Sequence, residues 1–351
     1  MEDKLGKIDH RLFEEIIKTK CGKDRNEVIT GPGFGVDVSL IDLQGGMAMA
    51  VTSDPLSLIP SLGLEESAWL SVHLLANDMA TTGFAPMYGQ FILNLPADFS
   101  RNDFKTYWNY IHKFSAHIGI AITGGHTGFI EGQNSTIAGG GTFITVAPKS
   151  KLLISRKAKP GDVILVTKQC ALSSTSILAM SFPETVKNRL GHETYHEACG
   201  LFYQTSSLDD ALTAAEVQNG KNEVNAMHDV TEGGILGAIY ELACASGNGA
   251  QVFDDHIPVG SVQEEVCRLF SIDPRHSIGA GSMIITCTKD KVSLVKNRLG
   301  KNNILCSAVG EIKEKEYGIK LVENGNETDL IYMEEDPYWA AFFKAYSEGW
   351  K

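Results

Sequence analysis

The chain has 351 residues, 43% of them hydrophobic, which is enough apolar material for more than one core. Single cores seldom grow beyond about 250–300 residues, so two domains are expected. With 31 Lys and Arg against 43 Asp and Glu, the net charge is −12 and no long basic run occurs, which argues against a nucleic-acid binder held by phosphate contacts. Seven cysteines (Cys21, Cys170, Cys199, Cys244, Cys267, Cys287 and Cys306) are scattered and never form a CxxC pair. They read as free thiols of a reducing, cytoplasmic compartment. No apolar stretch follows the charged start, and no run of about 18 apolar residues occurs, so neither a signal peptide nor a membrane span is expected.

The periodicity predicts an amphipathic helix over residues 8–20, with Ile8, Leu12, Phe13, Ile16 and Ile17 on one face. The cluster Gly31-Pro-Gly-Phe-Gly35 follows, then strands Val36 to Leu43 and Met47 to Val51, the second ending in Thr52-Ser53-Asp54. Residues 65–82 read as a helix carrying Ala68, Val72, Leu75 and Met79 on one face. Met87 to Leu95 reads as a strand, and Ser100 as the cap of a helix carrying Phe104, Trp108, Ile111 and Phe114. Two strands are expected to flank Gly124-Gly125-His126-Thr127, and the first domain to close near Ala147-Pro148. Domains of 1–150 and 151–351 result. The second half repeats the alternation: a strand Val163 to Thr167, another ending at His228-Asp229, a helix Ile235 to Ala245, a strand Ser307 to Ile312 and an aromatic terminal helix from Tyr338 to Trp350. Alternating strands and helices in both halves predict an α/β (α+β) protein of two layered domains.

Three carboxylates stand out. Asp37 follows a glycine cluster, Asp54 is expected at a strand end, and Asp78 sits on a largely apolar helix beside Asn77. A carboxylate on a buried element is costly unless paired or bound to a cation. Magnesium takes oxygen ligands and combines a few carboxylates with substrate phosphates, so Asp37, Asp54 and Asp78 are candidate metal ligands; turn residues or helix caps are the structural alternative. Gly124, Gly125, His126 and Thr127 form a second candidate, a turn whose amides could approach an anion, with His126 as phosphate partner, metal ligand or proton carrier. A solvent-facing histidine on a tight turn fits equally well. The run His228-Asp229-Val230-Thr231-Glu232-Gly233-Gly234 enters a helix, where free amides and the helix dipole favour an anion. Asp229 and Thr231 also suit helix caps. Neither a Walker A pattern nor a Gly-x-Ser-x-Gly elbow is present.

Taken in order, these segments resemble the aminoimidazole ribonucleotide synthetase superfamily. The matching pieces are Gly6-Lys7, Gly31-Pro32 through Asp37-Val38, Thr52-Ser53-Asp54, Ala76-Asn77-Asp78-Met79-Ala80 with Gly83-Phe84-Ala85-Pro86, and Gly124 to Thr127. Lys159-Pro160-Gly161-Asp162, His228 to Gly234, and Asp273-Pro274 with Gly279-Ala280-Gly281-Ser282 complete the series. The start, the Pro-Gly-Asp link and the Asp-Pro segment are most similar to the hydrogenase maturation factor branch, which dehydrates a carbamoyl group. The resemblance implies an N-terminal domain that dimerises through its sheet and ATP held between the domains and across the homodimer. It places magnesium and phosphates on Asp37, Asp54 and Asp78, and the nucleotide or transferred phosphate on Asn77 and the Gly124 to Thr127 turn.

Two departures from the family pattern bear on function. Val36 stands where the family commonly carries a second acidic residue, which removes one metal ligand from the set. The maturation factor's Pro-Arg-Ile-Cys tail is replaced by Ser347-Glu348-Gly349-Trp350-Lys351, with no cysteine after Cys306. Thiocarbamate chemistry on a terminal cysteine is therefore not expected. The expected protein is an ATP- and magnesium-dependent enzyme that phosphorylates or otherwise activates an oxygen of a small-molecule or carbamoyl-type substrate. Its candidate catalytic residues are His126 and Asp229, with Gly233 and Gly234 at the anion. The rival is a non-catalytic nucleotide-binding partner in a maturation complex, which Val36 and the altered tail favour.

Overall fold

The computed structural model describes residues 6–216 and 223–351. Two sheets organise it. The first contains β1 (Val28–Thr30), β2 (Ser39–Asp42), β3 (Met47–Ser57), β4 (Tyr88–Pro96), β5 (Ala121–Ile130) and β6 (Ile137–Pro148), in the order β1-β2-β3-β6-β4-β5. Only the β4–β5 pairing is parallel. The second contains β7 (Val163–Thr167), β8 (Ala226–Asp229), β9 (Gly249–Phe253), β10 (Met283–Cys287), β11 (Cys306–Lys313), β12 (Ile319–Glu323) and β13 (Asn326–Asp329), in the order β13-β12-β9-β11-β7-β10-β8.

Alternation sets the first sheet's two faces. On β4, Phe91, Leu93 and Leu95 are buried under the helices Leu64–Ala80 and Arg101–His117, while Tyr88, Gln90 and Ile92 point to the opposite, exposed face. In the second sheet the interior strands β7 and β10 are buried almost throughout. Their continuous apolar runs are what cover on both faces requires. The helix Gly234–Ser246 lies on one side and Leu208–Ala215 on the other, in separate apolar clusters.

Several elements differ from the sequence expectation. The N-terminal helix is short, an α-turn His10–Leu12 running into a π-helical stretch Phe13–Ile17. Its apolar stripe stays open, with Ile8, Ile16 and Ile17 each more than 40% exposed, because no second layer covers it. The strand expected from Val36 begins only at Ser39, and Asp54 lies within β3 rather than at its end. Gly124 to Thr127 form no turn: they are extended within β5, the edge strand. Gly125 has φ +144°, and a Cβ there would lie 1.9 Å from the carbonyl oxygen of Phe91, so the glycine serves close strand contact.

Candidate functional site

Four aspartates converge where the two sheets meet. Asp37 comes from the segment before β2, Asp54 from the helix-facing side of β3, Asp78 from the helix Leu64–Ala80, and Asp229 from the end of β8. Their negative charges act on one another. Burial pushes the Asp78 carboxyl well above the usual carboxylate range, and the charges of Asp229, Asp54 and Asp37 push it further, against a hydrogen bond from Thr52 Oγ1 to Asp78 Oδ2 at 2.8 Å. Burial raises Asp54 to about 6, with Lys7 opposing and Glu232 reinforcing the shift. Asp229 rises to about 7 through burial and the charge of Asp37, against the pull of His228 and Lys7. Carboxylates crowded into a poorly solvated space call for a cation.

His228 fixes one side of this centre. Its Nδ1 lies 2.8 Å from Asp37 Oδ1 and its Nε2 lies 3.1 Å from Glu241 Oε2, with all three side chains less than a tenth exposed. Burial alone would lower the imidazole pKa. The paired carboxylates of Asp37 and Glu241 override it and hold the ring charged, well above its ordinary range. Asp37, His228 and Asp229 have the spacing of a metal-binding trio. With both ring nitrogens engaged by carboxylates, however, His228 has no lone pair for a metal. The donors left are the aspartate oxygens, a set that fits magnesium and not a soft metal.

The network extends to both ends of the chain. Glu241 Oε1 accepts from Tyr332 Oη at 2.7 Å and lies 3.6 Å from Lys7 Nζ. Lys7 Nζ also donates to Thr231 Oγ1 at 2.9 Å, and its backbone N–H donates to Glu232 Oε2 at 2.8 Å. Burial raises the Glu241 carboxyl, but Lys7 and His228 reverse that and bring it down to about 2. Trp339 Nε1 reaches Glu232 Oε1 at 3.3 Å, and Asp336 accepts from the Gly233 amide at 2.7 Å.

The other expected residues fall in different settings. Asn77 is fully buried; its amide nitrogen donates to the carbonyl of Thr205 at 2.9 Å and its oxygen accepts from the amide of Ser207 at 2.7 Å. Both ends of that side chain thus tie the first sheet's helix to the second half. His126 is exposed on β5, three strands from β3 and so roughly 14 Å across the sheet from Asp54. Gly124, Gly125 and Thr127 lie on the same edge. Gly233 and Gly234 form the left-handed entry to the helix Gly234–Ser246. A Cβ at Gly234 would lie 2.5 Å from the carbonyl oxygen of Arg275. The Gly233 amide is taken by Asp336 and that of Gly234 by the carbonyl of Thr231, so neither is free to receive an anion. Neither Asp229 nor Thr231 caps that helix. Sequence reasoning missed Lys7, Glu241, Tyr332 and Asp336. Of these Glu241 carried a local signal, a lone carboxylate in the apolar run Ile235 to Ala245, and Lys7 entered only as part of the Gly6-Lys7 family match, with no role assigned.

Two mixed sheets with helices, joined by a centre of four carboxylates, define a two-domain α/β protein of the synthetase type. Residues 35–146 match the N-terminal domain of AIR synthase related proteins and residues 159–322 match the C-terminal domain, so the chain belongs to the AIR synthase related family. It is 26% identical over 295 residues to carbamoyl dehydratase HypE of Azotobacter vinelandii, covering 82% of this chain and 78% of that protein. It is also 26% identical over 308 residues to a selenide, water dikinase of Methanococcus maripaludis, covering 83% and 88%. Among solved structures, the HypE–HypF complex matches with a TM-score of 0.72 at 18% identity, covering 91% of this chain and 99% of that one. A HypE structure in complex with ATP matches with 0.66 at 18% identity, covering 95% and 97%. No helix among the described residues is long and apolar enough to cross a membrane.

Proposed function

We propose that this protein is an ATP- and magnesium-dependent enzyme that activates an oxygen of a small-molecule or carbamoyl-type substrate by phosphorylation. The observation that carries this reading is the convergence of Asp37, Asp54, Asp78 and Asp229: burial raises the carboxyls of Asp54, Asp78 and Asp229, and the neighbouring aspartates raise those of Asp78 and Asp229 further. Relatives named as a carbamoyl dehydratase and a dikinase, and a structural neighbour solved with ATP, support it. Magnesium held by Asp37, Asp54 and Asp78 would supply neutralisation of phosphate charge.

The chain's own residues divide the remaining work. His228 orients Asp37 from behind, and Glu241 holds both His228 and Lys7. The Lys7 ammonium provides a fixed positive charge beside the centre, raised by Glu241, Tyr332, Asp229 and Glu232 against the effect of burial. Asp229, at the end of β8 beside Asp37 and His228, is placed to take up a proton from an attacking group. Phosphoryl transfer needs little else, since it is mostly positioning and charge stabilisation. Cys306 does not suit a carrier role: it lies in β11 and burial lifts its thiol to about 12. We further propose that the chain is a homodimer paired through the exposed face of the first sheet. A maturation partner protein fits the same reading, as the neighbour solved as a complex suggests.

The test is calorimetry with magnesium and ATP. Asp54→Asn and Asp78→Asn should each weaken magnesium-dependent ATP binding by tenfold or more while circular dichroism stays native. Unchanged affinity in both folded variants would remove these residues from the site. Steady-state ATP hydrolysis with candidate acceptors separates an enzyme from a nucleotide-binding partner.

A further inference from the structure

Beside the carboxylate centre lies a cavity that the reading above does not use. It measures about 380 Å³ and is lined by the N-terminal helix (His10, Glu14, Lys18), the loop Gly33 to Val36, Arg156, and the end of the helix Gly234–Ser246. That volume is in the range of small-ligand sites. A narrower cleft shares Val36 and Arg156 with it and runs on to Asp37, Thr81 and Ser155. Arg156 and Val36 thus stand between the open cavity and the centre.

Arg156 is the charged group that sets the cavity's chemistry. Arg25, Arg268, Arg275 and Arg298 each pair with a carboxylate. Among the described residues Arg156, like Arg11, Arg101 and Arg189, has no such partner, but of these four only Arg156 lines the cavity. At the rim, Lys18 and Glu14 satisfy each other at 2.7 Å and leave Arg156 as the uncompensated charge. Gly33 keeps space in front of it: a Cβ there would lie 3.1 Å from Val36 Cγ2 and 3.7 Å from Arg156 Nη2. One wall is flat. Phe34 is stacked on His10 with ring centroids 4.1 Å apart, and the edges of Tyr240 and Tyr332 hold it from behind.

We propose that this cavity seats the acceptor substrate, and that Arg156 grips its oxyanion, a phosphate or carboxylate, while a flat or apolar portion lies along Phe34 and His10. The planar guanidinium fork matches both oxyanions with two parallel hydrogen bonds. This inference rests on the proposed ATP-dependent reading for its reaction and on the cavity alone for its ligand. The acceptor is then a small anionic molecule rather than a neutral amide, with its reacting end directed past Val36 toward Asp37.

Phenyl phosphate and benzoate serve as probes in calorimetry, distinguishing phosphate from carboxylate. The expected result is binding of one of them to the wild-type protein, weakened at least tenfold by Arg156→Ala and partly restored by Arg156→Lys, with magnesium–ATP affinity within twofold of wild type. If neither probe binds, or if Arg156→Ala binds the probe as the wild type does, the proposal is overturned. A matching loss of magnesium–ATP affinity in Arg156→Ala overturns it too, because the cavity then belongs to the nucleotide. If magnesium–ATP binds neither protein while a probe still depends on Arg156, the ATP reading fails and the anion seat stands.

Discussion

Asp54 and Asp229 show how a metal site is built at a cost to the bare protein. Their carboxyls stand near 6 and 7, above the ordinary range, so the folded chain keeps protons there that the unfolded chain has released. Their contribution favours the folded state at acid pH and is lost as pH rises through about 6 to 7. His73 runs the other way. It is buried against Trp69 and its pKa falls to about 3 through burial and the nearby His117, so its contribution is present at neutral pH and is lost as pH falls from about 6.5 toward 3. The total pH profile therefore mixes opposing terms, but His73 lies outside the carboxylate centre and cancels when one protein is compared with and without magnesium. We expect the rise in Tm on adding magnesium to be larger at pH 8 than at pH 5, because the cation needs the ionised aspartates. Equal increments at the two pH values, measured by calorimetric scanning, would count against cation binding at this centre.

At the scale of elements, the Gly233–Gly234 turn depends on a residue about a hundred positions away. Asp336 accepts from Gly233 N–H at 2.7 Å and caps the helix Pro337–Ser347 through the amide of Tyr338 at 2.9 Å. Asp336→Ala leaves two buried donors without an acceptor and should cost about 1–3 kcal/mol, read as a lower urea midpoint at unchanged m-value. Asp336→Asn, which keeps an acceptor oxygen, should cost less; equal losses would show that the effect is packing. The sequence made the strands, the principal helices and three of the four aspartates legible as buried-element carboxylates, and the fourth through its motif. It could not reveal the roles of Lys7, Tyr332 or Asp336, because each acts on a segment between 91 and 225 residues distant and none interrupts a local pattern. The reading of Gly124 to Thr127 as a turn failed for a related reason. Paired glycines signal either a reversal or close strand contact, and only the neighbouring β4 decides which.

At the scale of the molecule, the first sheet carries helices on one face alone. Tyr88 and Ile92 of β4 and Ile137 at the start of β6 are 39%, 49% and 47% exposed on the other side. A half-covered sheet bearing such residues exposes an apolar patch of the kind that marks an interaction surface, and pairing of two copies would cover it. Light scattering should give twice the chain mass, and Ile92→Arg should shift the population toward monomer without loss of helix signal. A wild-type monomer at micromolar concentration would sink the homodimer.

The tie between Trp339 and Glu232 has a practical consequence. An indole hydrogen-bonded to a carboxylate beside the ammonium of Lys7 sits in a strong local field, and indole emission shifts with such fields. Glu232 in turn bonds the amide of Lys7. Glu232 also acts on Asp54, so the emission of Trp339, one of four tryptophans, is expected to shift when charge arrives at the centre; unchanged Trp339 emission on adding magnesium and ATP would count against it.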